Sequence, residues 1–312
     1  MFDALTIGSA LADIFITSSH FELQKTGDGV FLCQTYGAKI EVDSFTFHTG
    51  GGASNVGVGL SRAGLSVASI VELGKDTLAQ LVMDDFKHEH VDVQYVINER
   101  REQTGGSVIL VGHDGGRTVM VHRGASSELD PADISVRAVE RASWIHLSSI
   151  AGRLPTLQRI GKLAQTHQKK VSWNPGSAEL ALLASGEFSI KDMPCAVLIM
   201  NKEEWEKLAE REAEIRDSVP ELIITDGKQG LEVSYEGEAH HVAADTTVAV
   251  VDETGAGDAF ASGYIAARFH RQPVTTACQW GIRNATAVVQ QFGAKPGLLR
   301  YAELASTPSS EA

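Results

Sequence analysis

Cysteine is scarce in this chain: Cys33, Cys195 and Cys278 are the only three, far apart and without a C-x-x-C spacing. That excludes a disulfide scaffold and a cysteine-built zinc site, and it fits a reducing cytoplasm. Basic charge is short as well, with 27 Lys and Arg against 40 Asp and Glu and a formal net charge of -13. A sequence-independent nucleic-acid binder is thereby excluded, because phosphate neutralisation needs clustered cations. No run reaches the roughly 18 uninterrupted apolar residues of a membrane span, so no membrane partner is expected. The opening MFDALTIGSALADIFI has Asp3 where a signal peptide is basic and Asp13 inside its apolar stretch, and it predicts a buried first strand over about Ala4 to Ala10. His88 with His90 and His240 with His241 lack H-E-x-x-H spacing and are expected on a solvated face. P-loop and protein-kinase signatures are missing too.

What is present is alternation. Strand-like runs at Val67–Glu72, Trp144–Ser148, Lys170–Trp173, Ala196–Met200, Glu221–Thr225 and Thr247–Val251 are interleaved with helical patterns near Thr77–His88, Pro155–His167, Glu203–Glu210 and Gly257–His270. That order predicts an α/β fold, a mostly parallel central sheet covered by helices, with ligands at the carboxyl ends of the strands. Two stretches stand apart: the polar region after Asp13, containing Thr26-Gly27-Asp28-Gly29, and the pair Gly105–Val111 and Arg117–His122 around the turn residues His113-Asp114-Gly115-Gly116. They predict a small β lid interleaved with one domain spanning 1–312, its segments near 14–48 and 103–124. The tail after Arg300 is expected to fray.

The most informative segment is Asp252-Glu253-Thr254-Gly255-Ala256-Gly257-Asp258, at the start of a predicted helix. Small residues let backbone approach a ligand, and free N–H groups with the helix dipole suit phosphate oxygens. Asp258 in the first turn can accept a proton from a hydroxyl held beside that site. By spacing alone it can equally be an acid that merely caps the helix.

The segment resembles the second signature, D-T-x-G-A-G-D, of the PfkB or ribokinase-like carbohydrate kinases, with Glu253-Thr254 as its one departure. Gly50-Gly51-Gly52-Ala53-Ser54-Asn55 resembles the first signature, and weaker likeness extends over nearly the whole chain. The resemblance implies a ribokinase-like three-layer sandwich and transfer of the γ-phosphoryl group of ATP, with Mg²⁺, to a hydroxyl of a small sugar. A nucleoside kinase, or a catalytically silent sugar or nucleotide sensor on the same fold, is the alternative.

Residue by residue, the resemblance implies an anion hole at Gly255, Ala256 and Gly257 with Asp258 as base, and sugar contacts from Asp13, Gly51, Gly52 and Asn55. Asn201 and Glu204 match the N-x-x-E motif, which organises Mg²⁺ through water; as residues alone they read as a helix cap. Thr225, Gly227 and Gly230 match the nucleotide loop, or form a hairpin turn, or both. Asn284 falls in the region that encloses adenine. Asp252 matches an Asp that helps hold a monovalent cation such as K⁺ in many relatives. Some relatives form a homodimer through the lid.

Overall fold

The computed structural model describes residues 1–27, 29–98, 101–112 and 116–306. Its centre is a nine-stranded sheet in the order Glu238–Val242, Leu231–Tyr235, Glu221–Thr225, Cys195–Asn201, Lys170–Trp173, Ala142–Leu147, Phe2–Ile7, Val67–Ile70, Val91–Asp92. From Glu221–Thr225 to the last strand the pairing is parallel, and the two strands at the other edge form an antiparallel hairpin. The middle strands, ALTI in the first and VLIM in the fourth from the hairpin edge, are buried along their length, as a sheet covered on both faces requires.

The chain leaves Phe2–Ile7 toward one edge and returns at Ala142–Leu147 to build the other. The crevice between these two strands is the topological switch point, where α/β sheets hold ligands. One apolar layer packs the helices Gly52–Arg62, Ala256–Phe269 and Val274–Val288 against the sheet; the other packs Leu154–Thr166 and Ser177–Ser185 on the opposite face. Gly52–Arg62 and Ala256–Phe269 cross closely because Gly59 has no side chain: a Cβ there would lie 2.3 Å from Ser262 Oγ.

A second, four-stranded sheet is drawn from Arg117–His122, Gly106–Val111, Leu11–Thr17 and Ser44–Gly50, in that order. Register divides its side chains between two faces. Val121, Ser107, Asp13 and His48 form one rung, and Arg117, Val111, Thr17 and Ser44 another on the same face. Met120, Val108, Ile14 and Phe47 form a rung on the opposite face.

Several expectations need correction. The first strand stops at Ile7, short of Ala10, and Asp13 lies inside a second strand, Leu11–Thr17, because Gly8-Ser9-Ala10 makes the break. Glu22–Thr26 and Gly29–Cys33 pair only with each other, as a separate ribbon. Thr247–Val251 forms no strand; Val248 and Val250 line a cavity, and the segment is tied down where Val251 and Asp252 N–H reach Val289 O. Residues Tyr301–Ala305 are helical, not frayed, with Arg283 donating to the carbonyls of Glu303, Leu304 and Ser306. Asp28, the turn residues His113, Asp114 and Gly115, and positions 307–312 lie outside the described residues.

Candidate active site

The Gly50–Gly52 turn lies over the switch point. Gly51 adopts φ 94°, a conformation that favours glycine, and a Cβ on it would lie 2.6 Å from Ser9 O. A Cβ on Gly52 would lie 2.7 Å from Ser148 Cβ and 3.5 Å from Asp258 Oδ1, and one on Gly50 would lie 2.5 Å from Asp13 Oδ2. The two carboxylates therefore approach the same turn from its two ends.

Asn55, buried in the first turn after the glycines, donates from Nδ2 to Asp258 Oδ2 at 2.8 Å, joining segments 203 residues apart. Its Oδ1 has no partner among the described residues, an open acceptor for a hydroxyl. Asp13 accepts from Ser107 Oγ across the small sheet. Burial raises the pKa of Asp258 above the ordinary carboxylate value, against the Asn55 bond and the charge of Lys295. Burial also raises that of Asp13, against Ser107, His48 and Lys295. A raised pKa makes Asp258 a stronger base than a free aspartate.

The glycine turn at the second helix divides its labour. Gly255 is left-handed at φ 77° and packs against Ala294, where a Cβ would lie 2.3 Å from Ala294 Cβ, so the fold itself needs that glycine. Ala256 N–H bonds Glu253 O at 3.2 Å, which corrects its assignment as an anion donor; the amides of Gly257 and Asp258 are those that helix geometry leaves without an intrahelical acceptor. Gly257 is different again: a Cβ there would meet nothing within 4 Å. The protein does not need this glycine for packing, yet it lies on the wall of a cavity of about 420 Å³.

Asn201, Thr225, Gly227, Lys228, Gly230 and Glu253 give this cavity polar walls, while Phe260, Ile282, Ala285 and Val289 make an apolar end. It has the mixed lining that a nucleotide requires. Gly227–Gln229 is a tight turn joining Glu221–Thr225 to Leu231–Tyr235, so the loop is both hairpin and cavity wall. Asn201 and Glu204 form a reciprocal helix cap, Asn201 Oδ1 accepting from Glu204 N at 2.8 Å and Glu204 Oε2 from Asn201 N at 2.9 Å. Asn284 must be withdrawn from the site: it is buried, its Nδ2 donates to Ala259 O and Ser262 Oγ, and its Oδ1 accepts from Leu299 N. Its neighbours on the helix face the cavity in its place.

The arrangement matches the pfkB family carbohydrate kinase profile over residues 3–299. The chain belongs to that family. Its similarity to Staphylococcus aureus ribokinase is 25% identity over 264 residues, 80% of this chain and 84% of that one. Arabidopsis thaliana ribokinase, solved with ribose and ATP, shares the fold at TM-score 0.77 and 20% identity, covering 97% of each chain. Adenosine kinase from Sinorhizobium meliloti shares it at TM-score 0.76 and 21% identity, over 98% of this chain and 99% of that one. The chain is thus a carbohydrate kinase of the pfkB family, a phosphotransferase acting on a hydroxyl group. Among the described residues no helix is long and apolar enough to cross a membrane.

Lys295 is a site residue of this pfkB-family kinase that sequence reasoning missed. Its Nζ is buried and donates to Thr49 Oγ1 at 2.8 Å, Ser54 Oγ at 2.6 Å and Asp85 Oδ2 at 2.6 Å. Thr49 and Ser54 flank the glycine turn, so this ammonium clamps both ends of it. Burial lowers the Lys295 pKa, with Asp85 opposing. A lone lysine in Gly293-Ala294-Lys295-Pro296 carries no spacing signal that could have found it.

Proposed function

We propose that the chain transfers the γ-phosphoryl group of ATP to a hydroxyl of a small free sugar, with Asp258 as the base. The 2.8 Å bond from Asn55 to Asp258 carries this reading. It brings a hydroxyl-recognising amide and a carboxylate of raised pKa to one place, beside the unfilled space at Gly257. Asp13, the free Oδ1 of Asn55 and the Gly51–Gly52 backbone hold the sugar. The amides of Gly257 and Asp258 take the charge of the transferred group in line with the attacking oxygen.

Kinases of the ribokinase family use ATP and Mg²⁺. The residues fit that ion: Glu204, whose bond to Asn201 uses only Oε2, and Glu253 on the cavity wall offer hard oxygen ligands to a cation that keeps its waters and the phosphates. Mg²⁺ held there would neutralise charge on the phosphates. The small sheet, whose inner face carries Asp13, closes over the sugar and excludes water. Its outer face exposes Phe45, Phe47 and Met120, each about half solvent-accessible, and takes a second copy of the chain as partner.

An ADP-release screen over ribose, fructose, other hexoses and nucleosides, repeated with Asp258→Asn, tests the reading. Turnover on free sugars that the variant loses supports it. Turnover on nucleosides alone selects the nucleoside kinase, and ATP binding without turnover on any acceptor selects the silent sensor.

A further inference from the structure

The carboxylate of Asp252 is the most completely occupied acid in the site. Only 2% exposed, it accepts at Oδ1 from Thr254 N (3.0 Å) and Thr254 Oγ1 (2.7 Å), and at Oδ2 from Gly293 N (3.0 Å). Its charge is balanced by the guanidinium of Arg117, also at Oδ1. Arg117 comes from the first position of the outer strand of the small sheet, 135 residues away, on the same face as Asp13 and His48.

A buried carboxylate without a counter-charge costs several kcal/mol, so some cation has to stand beside Asp252. The family resemblance would place a free monovalent ion there. These residues do not fit one: a free cation would share Oδ1 with a guanidinium, like charge against like, and both oxygens already have donors. Thr254 and Gly293, which the same carboxylate holds, fix the turn that carries Gly255–Asp258 and the loop that carries Ala294 under Gly255. Whatever neutralises Asp252 therefore sets the position of the Gly257 and Asp258 amides.

We propose that Arg117 is a positioning residue that supplies the cation of the phosphate-binding turn from the small sheet itself, so that the turn is built without K⁺. The proposal rests on reading that turn as the phosphate site. A tethered cation also differs from a free one in its timing, since it reaches Asp252 only when the small sheet is docked. Docking over the sugar and completion of the anion-binding turn are then one event.

The test compares wild type, Arg117→Met and Arg117→Lys in KCl, NaCl and tetramethylammonium chloride at one ionic strength, with and without a non-denaturing amount of guanidinium. Melting temperature is read without nucleotide, ATP·Mg²⁺ affinity by titration, and turnover with the acceptor the screen identifies. The wild type should give the same melting temperature and ATP affinity in all three salts. Arg117→Met, with Asp252 stripped of its partner, should bind ATP about tenfold or more weakly in tetramethylammonium, and K⁺ or guanidinium should restore it. Arg117→Lys should retain most of the affinity, as a point charge in place of a fork. A wild type that gains severalfold in affinity or several degrees of melting temperature with K⁺, or an Arg117→Met protein indistinguishable from it in every salt, overturns the proposal. Because melting needs no nucleotide, a wild type that fails to bind ATP refutes the reading of the site while the role of Arg117 stays measurable.

Discussion

Gly257→Ala separates what the fold needs from what the reaction needs. A Cβ at Gly257 meets no atom within 4 Å beyond its chain neighbours and its own helix backbone, and its φ is not among the positive values. The substitution therefore costs the folded state nothing and removes unfolded-state entropy, which stabilises by about 0.4–1 kcal/mol. For a chain of this size that corresponds to a melting temperature about 0.5–1.5 °C higher. The added methyl, however, projects at the wall of the cavity by the helix start, where the proposed phosphoryl group must approach the amides. A displacement of about 1 Å from productive geometry costs on the order of 10²-fold, so kcat/KM should fall at least that far, equivalent to about 2.7 kcal/mol. Thermal melting and coupled ADP release on the same preparation read both effects. A variant that is more stable and fully active would refute the placement of the phosphoryl group beside Gly257; one that is less stable would refute the empty space itself.

Asp258→Asn should lower kcat by about 10²–10⁴-fold. It should also melt higher than wild type at neutral pH: burial raises the folded pKa of Asp258, so the stability this group contributes is greatest when it is protonated and is lost as pH rises through that pKa. The gap between the two proteins should narrow as the pH falls, and the acid limb of wild-type kcat/KM should lie above the ordinary carboxylate range. Lys295→Met breaks a buried ion pair and strands Asp85; a loss of about 3–5 kcal/mol in urea unfolding is expected, partly recovered by Asp85→Asn in the same chain. Gly59→Ala drives a Cβ against Ser262 and should cost about 1–3 kcal/mol, whereas Ser262→Gly in the same chain should restore most of it.

The legible part of this fold was the part with local cause. Helix Thr77–His88 and strands Lys170–Trp173 and Glu221–Thr225 have the bounds their apolar periods dictate, since caps and burial there act over a few residues. Thr247–Val251 has the same apolar signature as a strand but faces a cavity, and β propensity cannot distinguish burial against a sheet from burial against a ligand. The first strand was carried three residues too far, to Ala10, because the small residues Gly8-Ser9-Ala10 break it without any strong turn signal. Asn284 shows the reverse failure: a buried amide that satisfies a carbonyl and a hydroxyl of the neighbouring helix and a loop N–H looks, in one dimension, like a ligand contact.

Lys295 and Arg117 were illegible for one physical reason. Each neutralises an acid distant in sequence, the half-buried Asp85 at 210 positions and the buried Asp252 at 135, and such pairings leave no period or spacing. Each also holds one half of the site. Lys295 fixes the turn that approaches the sugar through Thr49 and Ser54, and Arg117 fixes the turn that approaches the phosphate through Asp252. Thr49 and Arg117 both stand on strands of the small sheet, so displacing that sheet strips a partner from Lys295 and the counter-charge from Asp252 together. Opening is thus opposed electrostatically at two points, and any substrate that favours the docked sheet favours both halves of the site at once.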